Sequence, residues 1–467
     1  MTQAGLPFAT ITELAAAYRR RTLSPVEVTQ AMLQRIDRLD PALRSYVTVT
    51  PEIALEQARK AEAEITRGEL RGPMHGVPIG LKDLCDTRGV RTTWGTTIQA
   101  DRVPDADATV VAKLFDAGAI MLGKLKMTEG AFAAHHPAVA APVNPWHADH
   151  WTGISSSGSG VAIAAGLCFG AIGSDTGGSI RLPSGANGVT GLKPTWGRVS
   201  RHGVRPLADS LDHLGPMTRS AADTGAMFCA MAGPDPCDPT TLDAPVPDCL
   251  AGIDAGIGGL RIGIDPSWVH DGCLPETARV IDEARRVFAE LGASLVELAM
   301  PDRTQAMCEA WTPLCAAEAA VAHEPWFPAR RNEYGKVLAG LLDKGRAVGG
   351  IEIARILQDR LVFAGELRTL FADVDLLLCP VHPFGNPTAR KLLSILRQPG
   401  GGDAMLRYTA PFDMSGSPTI TLPGGFDDRG MPVGFQLVGR HLDEALLVRA
   451  GHAFQRATDW HLRHPAL

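Results

Sequence analysis

From Gly72 onward, short apolar runs broken by glycine and proline alternate with helix-like segments. The runs GVPIGLKDL (76–84), GAIMLGKL (118–125) and GLCFGAIGS (166–174) are typical of buried strands. Between the first two lies DATVVAKLFDAG (107–118), whose apolar spacing is helical. Strands and helices that alternate in this way predict an α/β core, because each strand needs an apolar helix face to cover it.

The first 70 residues have a different sequence pattern and are predicted to be helical. Residues 11–68 are expected to form helices, one of them beginning at Ser24 as N-cap with Pro25 in the first turn and Glu27 in the capping-box position. A following helix is expected to stop at Gly68.

The second half of the chain repeats the α/β pattern. LRIGIDP (260–266), a helical segment over 275–292 and SLVELAMP (294–301) predict a βαβ unit after a loop rich in proline and aspartate. Residues 301–370 are predicted to be mainly helical. VDLLLCPV and PTITLPGG then supply late strands, before a last helix near residues 443–458.

No internal repeat or linker interrupts this pattern, so we expect one domain over residues 1–467. Within it we distinguish an N-terminal helical part (1–70), a region of candidate catalytic motifs (72–205) and the rest of the α/β core (260–467). At 467 residues with 45% apolar residues, the chain has enough material for a large core.

Charge and cysteine content restrict the partners and the compartment. A net charge of −6 without a basic stripe argues against nucleic-acid binding. Nine cysteines without a CxxC pair indicate reduced thiols rather than a disulfide framework. The N-terminus lacks the pattern of a signal peptide, and the apolar run 161–173 is too short to span a bilayer. We therefore expect a cytoplasmic protein without membrane contact.

Three familiar motifs are incomplete in this chain. The segment 118–125 resembles a phosphate loop, but Leu125 stands where the motif needs a hydroxyl for magnesium. The histidines of residues 135–150 lack an HExxH pattern and a carboxylate at ligand spacing, so no metal is expected. Ser179 lies in Gly-Gly-Ser-Ile-Arg, which does not match the G-x-S-x-G nucleophile elbow.

Three other segments carry residues suited to catalysis. GPMHGVPIGLKDL ends with Lys82 on an apolar strand, TGISSSGSGVAIAAG has serines at 155–157 before an alanine-rich helix, and GSDTGGSIRLPS exposes Ser179 beside glycine backbone. Taken singly, the lysine could be a surface residue, the serines helix caps and the glycine turn an ordinary turn. Together, in this order and spacing, the segments resemble the amidase signature family.

The resemblance extends from Gly72 to "PVGFQLVGR" near residue 440, and it implies a large mixed β-sheet covered by helices on both faces. In that family a lysine, a serine after a cis peptide bond and a nucleophilic serine 24 positions further on form the catalytic triad. Carried over, these are Lys82, Ser155 and Ser179. Ile154 and Ser157 stand where the family pattern has glycines, so Ser156 stays open as an alternative bridging residue.

The resemblance also implies the remaining roles at the site. The backbone N–H groups of Thr176, Gly177, Gly178 and Ser179 would bind the oxyanion. We read Asp175 and Arg181 as a pair that makes this turn rigid, and Met127 as a candidate for the pocket wall. Lys82 would need a buried environment, because a lysine with an ordinary pKa is neutral in only about 4 of 10,000 molecules at pH 7.

The implied function is hydrolysis of a carbon–nitrogen bond in a small-molecule amide, anilide or carbamate through a serine acyl-enzyme, without a cofactor. A homodimer is left open. The alternative is the glutaminase subunit of a tRNA-dependent amidotransferase, although residues 346–363 do not match the arginine-rich segment of such subunits. A non-catalytic scaffold is disfavoured, because all three triad positions are filled.

Overall fold

Eleven strands form one continuous mixed sheet in the computed structural model of the protein, which describes residues 5–467. The strand order is β1-β3-β2-β4-β6-β5-β10-β11-β9-β7-β8. Strand β2 pairs in parallel with β3 and β4, β7 pairs in parallel with β8 and β9, and the other pairs are antiparallel. The strands are β1 (Tyr46–Val49), β2 (Pro78–Lys82), β3 (Ile120–Leu125), β4 (Gly170–Asp175), β5 (Thr190–Lys193), β6 (His213–Thr218), β7 (Arg261–Ile264), β8 (Ser294–Glu297), β9 (Leu376–Pro380), β10 (Thr419–Phe426) and β11 (Pro432–Gly439).

Sixteen α-helices accompany the sheet within residues 5–467, and the predicted α/β fold is confirmed. The helices are α1 (Ile11–Arg19), α2 (Pro25–Leu43), α3 (Pro51–Arg67), α4 (Thr109–Asp116), α5 (Ser157–Ala164), α6 (Arg181–Asn187), α7 (Ala221–Met231), α8 (Pro266–His270), α9 (Pro275–Glu290), α10 (Thr304–Ala322), α11 (Lys336–Ala347), α12 (Gly350–Asp373), α13 (Ala389–Leu396), α14 (Gly401–Leu406), α15 (Ala410–Met414) and α16 (Glu444–Ala457).

The N-terminal part confirms the predicted helix ends and contradicts one prediction. Ser24 caps α2 in a complete capping box with Glu27, and Gly68 ends α3 with a φ of +86°. Between these helices, however, Tyr46–Val49 forms strand β1, where the sequence predicted only helices. The strand exists because it pairs with β3, more than 70 residues later in the chain, and no local pattern reports such a partner.

The later elements follow the sequence-based prediction. Strands β7 and β8 are parallel neighbours with α9 between them, as expected for a βαβ unit. Helices α10 to α12 occupy most of residues 304–373, and α16 is the predicted last helix. The segment that resembled a phosphate loop contains buried strand β3. No helix among residues 5–467 is long and apolar enough to cross a membrane.

Most buried apolar side chains form one core around the sheet. A second, smaller group packs beside α6 and the segment that carries α13 and α14. We call it the annex cluster, and its buried members are Trp151, Leu182, Ala186, Val381, Leu392 and Met405.

Candidate active site

Two parallel strands bring the predicted catalytic segments to one edge of the sheet. Strand β2 ends at Lys82, and its neighbour β4 ends at Asp175, directly before the Gly-Gly-Ser turn. Parallel neighbours run in the same direction, so their carboxyl ends lie at the same edge. Ser155 and Ser156 precede helix α5, which packs against both β2 and β4. The three segments therefore meet where the strands end.

Lys82 is fully buried and faces hydroxyl groups instead of carboxylates. Its Nζ lies 2.8 Å from Ser155 Oγ, 2.7 Å from Ser156 Oγ and 2.7 Å from Ser174 Oγ. No carboxylate of residues 5–467 makes an ion pair with it. Burial penalises the ammonium form and lowers the pKa of Lys82 to about 7, despite the attraction of Asp175. The neutral amine is thus accessible near neutral pH.

The two candidate bridging serines differ in their hydrogen bonds. Ser156 Oγ accepts from the N–H of Ser174 at 3.2 Å and donates to the Ser174 carbonyl at 3.3 Å. Ser155 Oγ has Lys82 Nζ as its single hydrogen-bond partner within residues 5–467. The peptide bond between Ile154 and Ser155 is cis. Ser156 is therefore engaged with strand β4, whereas Ser155 keeps hydrogen-bonding capacity for another group.

Ser179 lies at the surface of an otherwise buried region. It is the one partly exposed residue from Ser155 to Asn187, and all the others are buried. Its carbonyl accepts a hydrogen bond of 3.4 Å from the N–H of Ser156, which joins the two serine segments directly. Its hydroxyl makes no hydrogen bond to any residue from 5 to 467. A reagent from solvent can reach this hydroxyl.

The backbone N–H groups of the turn are not all available to an oxyanion. Those of Thr176, Gly177 and Ser179 have no acceptor within residues 5–467. The N–H of Gly178 donates to Asp175 Oδ1 at 2.6 Å, which is at odds with the prediction that it binds an oxyanion. A carboxylate at hydrogen-bond distance occupies this donor. Gly178 instead has a φ of +128°, a conformation that side chains other than glycine rarely adopt.

Asp175 and Arg181 form a buried ion pair behind the turn. Arg181 Nη2 lies 2.8 Å from Asp175 Oδ1 and 2.5 Å from Asp413 Oδ2, and Arg181 Nη1 donates to the carbonyl of Thr409. Burial alone would raise the pKa of Asp175, but Arg181 and backbone donors hold it well below its usual range. The carboxylate also accepts from the N–H of Ile180. The pair thus ties both ends of the turn together.

Sequence reasoning missed several residues that support the site. Ser174 is the third hydroxyl on Lys82, and its position next to Asp175 at a strand end was a signal available in the sequence. Trp311 Nε1 donates to the carbonyl of Thr176 at 2.7 Å, and Thr409 Oγ1 donates to the carbonyl of Gly177 at 2.7 Å. Their separations of 135 and 232 residues left no local signal.

Met127 is buried in the main core two residues after β3. The next residue, Thr128, donates its N–H to the carbonyl of Ser155 at 3.2 Å, so this segment borders the cis serine. The histidines that could have suggested a metal are not assembled into a site. Among residues 5–467, no group of three or more His, Cys, Asp or Glu side chains is arranged to hold a metal ion.

A buried lysine, two buried serines and a partly exposed Ser179 at one edge of a mixed sheet agree with the amide hydrolase that the sequence resemblance implied. Residues 27–448 match the family model described as Amidase, and the chain belongs to this family, the amidase signature enzymes. Family membership confirms the predicted activity: the protein is a hydrolase of carbon–nitrogen bonds in amides.

Three relatives illustrate this membership. A protein of Mycobacterium tuberculosis (strain ATCC 25618 / H37Rv) named "Putative amidase AmiD" is 47% identical over 462 residues, which are 97% of this chain and 95% of that protein. One of the subunits of the glutamyl-tRNA(Gln) amidotransferase of Geobacter sp. (strain M21) is 38% identical over 484 residues, covering 98% of this chain and 99% of that protein. The structure of peptide amidase from Stenotrophomonas maltophilia is similar with a TM-score of 0.86 at 30% identity, covering 99% of each chain.

Proposed function

We propose that this protein is a stand-alone amidase in which Ser179 is the nucleophile, Ser155 the bridging residue and Lys82 the base. The observation that carries this proposal is the buried contact between Lys82 Nζ and Ser155 Oγ, with the pKa of Lys82 lowered to about 7. A base is most effective when its pKa lies near the working pH. In water a lysine is far from that range, so burial supplies the required shift.

The hydrogen bonds support Ser155 rather than Ser156 as the bridge. A hydroxyl has one hydrogen to donate and two lone pairs to accept with. Ser156 uses its hydrogen and one lone pair on the backbone of Ser174. Ser155 can donate to Lys82 and still accept from Ser179, which is what a relay needs.

The reaction follows from these positions. Ser179 Oγ attacks the amide carbonyl and gives its proton to Ser155, while Ser155 gives its own proton to neutral Lys82. The N–H groups of Thr176, Gly177 and Ser179 stabilise the negative oxygen that forms. The proton then returns through Ser155 to the leaving nitrogen, the carbon–nitrogen bond breaks, and an ester with Ser179 remains. Water, activated by the same relay, hydrolyses this ester and frees Ser179.

The proposed substrates are neutral amides, anilides or carbamates. The turn over residues 174–180 contains no cationic side chain that could bind a substrate carboxylate. The identity of 47% to a protein named as an amidase exceeds the 38% to a component of an amidotransferase, which supports an enzyme that works without a tRNA-binding partner. A homodimer stays a prediction, to be checked by light scattering.

We also propose a cytoplasmic location. All nine cysteines are free thiols, and most of them are buried. Reduced thiols are typical of a reducing compartment. Fractionation of the cells that produce the protein tests this point, and recovery of the protein outside the cytoplasm would contradict it.

A covalent label tests the nucleophile. A fluorophosphonate should modify the protein once, and peptide mapping should find the adduct on Ser179. Ser179→Ala should remain folded and take up no label. Recovery of the label on another serine would overturn the assignment.

A panel of substrates tests the class of reaction. An aryl amide, the matching ester, a carbamate and free glutamine are compared by kcat/KM. Because Ser155 can protonate the leaving nitrogen, the amide and the ester should react at comparable rates. If glutamine is the best substrate, the glutaminase role in an amidotransferase is the correct function, and cleavage of the ester alone would refute an amidase.

A further inference from the structure

Between Trp151 and Asn187 only two residues are partly exposed, Ile154 and Ser179. The segments that carry them touch, since the N–H of Ser156 donates to the carbonyl of Ser179. Ile154 and Ser179 are thus the partly exposed positions of two segments that are in direct contact. A partly exposed isoleucine at this place is available for contact.

The surroundings of Ile154 are apolar. Its side chain packs on the edge of the annex cluster, together with Phe384 and Leu396. Trp151 and Leu182 are buried members of that cluster, and Leu182 belongs to the helix that follows Ser179. An apolar group of the substrate would be removed from water here, whereas a polar one would lose its hydration without a partner.

The proposed mechanism determines which part of the substrate lies beside Ile154. Ser155 returns the proton to the leaving nitrogen, so that nitrogen must come within hydrogen-bond distance of Ser155 Oγ. Ile154 is the neighbour of Ser155 in the chain. In this arrangement residue 154 is near a substituent on the leaving nitrogen, whereas the acyl group is held on Ser179.

We propose that Ile154 is a specificity residue that contacts an apolar substituent on the leaving nitrogen. This inference rests on the proposed function. It makes N-aryl and N-alkyl amides better substrates than primary amides with the same acyl group. Where this chain has isoleucine, the family pattern has a glycine, which offers no side chain for such a contact.

The test compares an anilide and a primary amide that share one acyl group. In Ile154→Gly, kcat/KM for the anilide should fall about 10- to 100-fold, because a buried aliphatic contact of this size is lost. For the primary amide it should stay unchanged. Ile154→Val should keep most of the preference. The matched control is Ile53→Ala, which should leave kcat/KM for both substrates unchanged. Ile53 is a partly buried isoleucine on α3, a helix that packs on α2 and β3.

The acyl-enzyme provides a second readout. Both substrates form the same ester with Ser179, and the nitrogen has left by then. The partition of this ester between water and hydroxylamine should therefore be equal in the wild type and in Ile154→Gly. A changed partition, or an equal loss with both substrates, would show that Ile154 contacts the acyl group or positions Ser155, and would overturn the proposal.

Binding measured without turnover makes the test independent of the rates. In a Ser179→Ala background, adding Ile154→Gly should weaken binding of the anilide and leave binding of the primary amide unchanged, as measured by calorimetry. An affinity for the anilide that is the same in Ser179→Ala and in the double variant would also overturn the proposal. If Ile154→Gly does not fold, Ile154→Ala takes its place in both measurements. Failure of the proposed function looks different, since Ser179→Ala would then retain activity.

Discussion

Lys82 Nζ lies 2.8 Å from Ser155 Oγ, and the fully buried lysine is without a carboxylate partner among residues 5–467. Three hydroxyls, those of Ser155, Ser156 and Ser174, surround the amine instead. A hydroxyl can donate to a neutral amine or accept from an ammonium, so it stabilises both forms. Burial lowers the pKa of Lys82 to about 7, so that a large share of the lysine is neutral near pH 7.

The first prediction is a pH dependence. Below a pH of about 7 Lys82 is protonated and cannot accept the proton, and above it the amine is neutral, since burial lowers its pKa to about 7. The value of kcat/KM should therefore rise with pH and level off above neutral, because this parameter reports the free enzyme. Initial rates in buffers of constant ionic strength measure the curve. A plateau that is already complete at pH 5 would contradict a lysine base.

Removal of the base is the second prediction. Lys82→Met keeps the length and the apolar stem of the side chain and should lower kcat about 10²- to 10⁴-fold, the usual contribution of a general base. Lys124 offers a matched control. It is also a fully buried lysine with hydroxyl partners, on neighbouring strand β3, and burial lowers its pKa too. Folded Lys124→Met should keep its kcat, and an equal loss in both variants would show that the effect is structural.

The third prediction separates the two serines. Ser155→Ala removes the bridge and should lower kcat about 10²-fold or more, with little change in stability, since Ser155 Oγ bonds only to Lys82 within residues 5–467. Ser156→Ala should mainly reduce stability, by about 1–3 kcal/mol, because it leaves buried groups of Ser174 unpaired. Rates and urea unfolding of both variants are compared. The reverse pattern would make Ser156 the bridge.

The fourth prediction concerns the ion pair behind the turn. Arg181→Met leaves the carboxylates of Asp175 and Asp413 buried without their partner, and should lower the free energy of unfolding by about 3–5 kcal/mol. Urea unfolding measures this change. Arg286 on α9 is an exposed arginine with two acidic partners, and Arg286→Met should leave stability unchanged. Equal effects of the two substitutions would refute the structural role of the buried pair.

Local patterns predicted much of the fold correctly. The capping box at Ser24 and the glycine at position 68 determine helix ends through bonds between residues close in sequence. Strand β1 was missed because four residues become a strand only through a partner elsewhere in the chain. The order of the eleven strands could not be predicted for the same reason.

For the candidate site, too, some features could be predicted from the sequence and others could not. The resemblance of three motifs to the amidase signature family named Lys82, Ser155 and Ser179 as the candidate triad, and their catalytic roles stay a prediction. The donors of the turn were not predictable in detail, because the bond from the N–H of Gly178 to Asp175 depends on the conformation of the folded turn. The sequence did not predict that Trp311 is a neighbour of Gly177. In the folded protein its ring would lie only 2.5 Å from a Cβ at position 177.

The sequence by itself determined which chemical groups this protein has and the local helices and turns that carry them, because these depend on neighbouring residues. Only the tertiary structure decided the pKa of Lys82 and the solvent exposure of Ser179. Burial of Lys82 at the end of strand β2 lowers its pKa, and the packing of the turn leaves Ser179 partly exposed while its neighbours are buried. The lowered pKa arises from the exclusion of water. Both the burial of Lys82 and the exposure of Ser179 depend on the packing of many distant residues, which no short segment encodes.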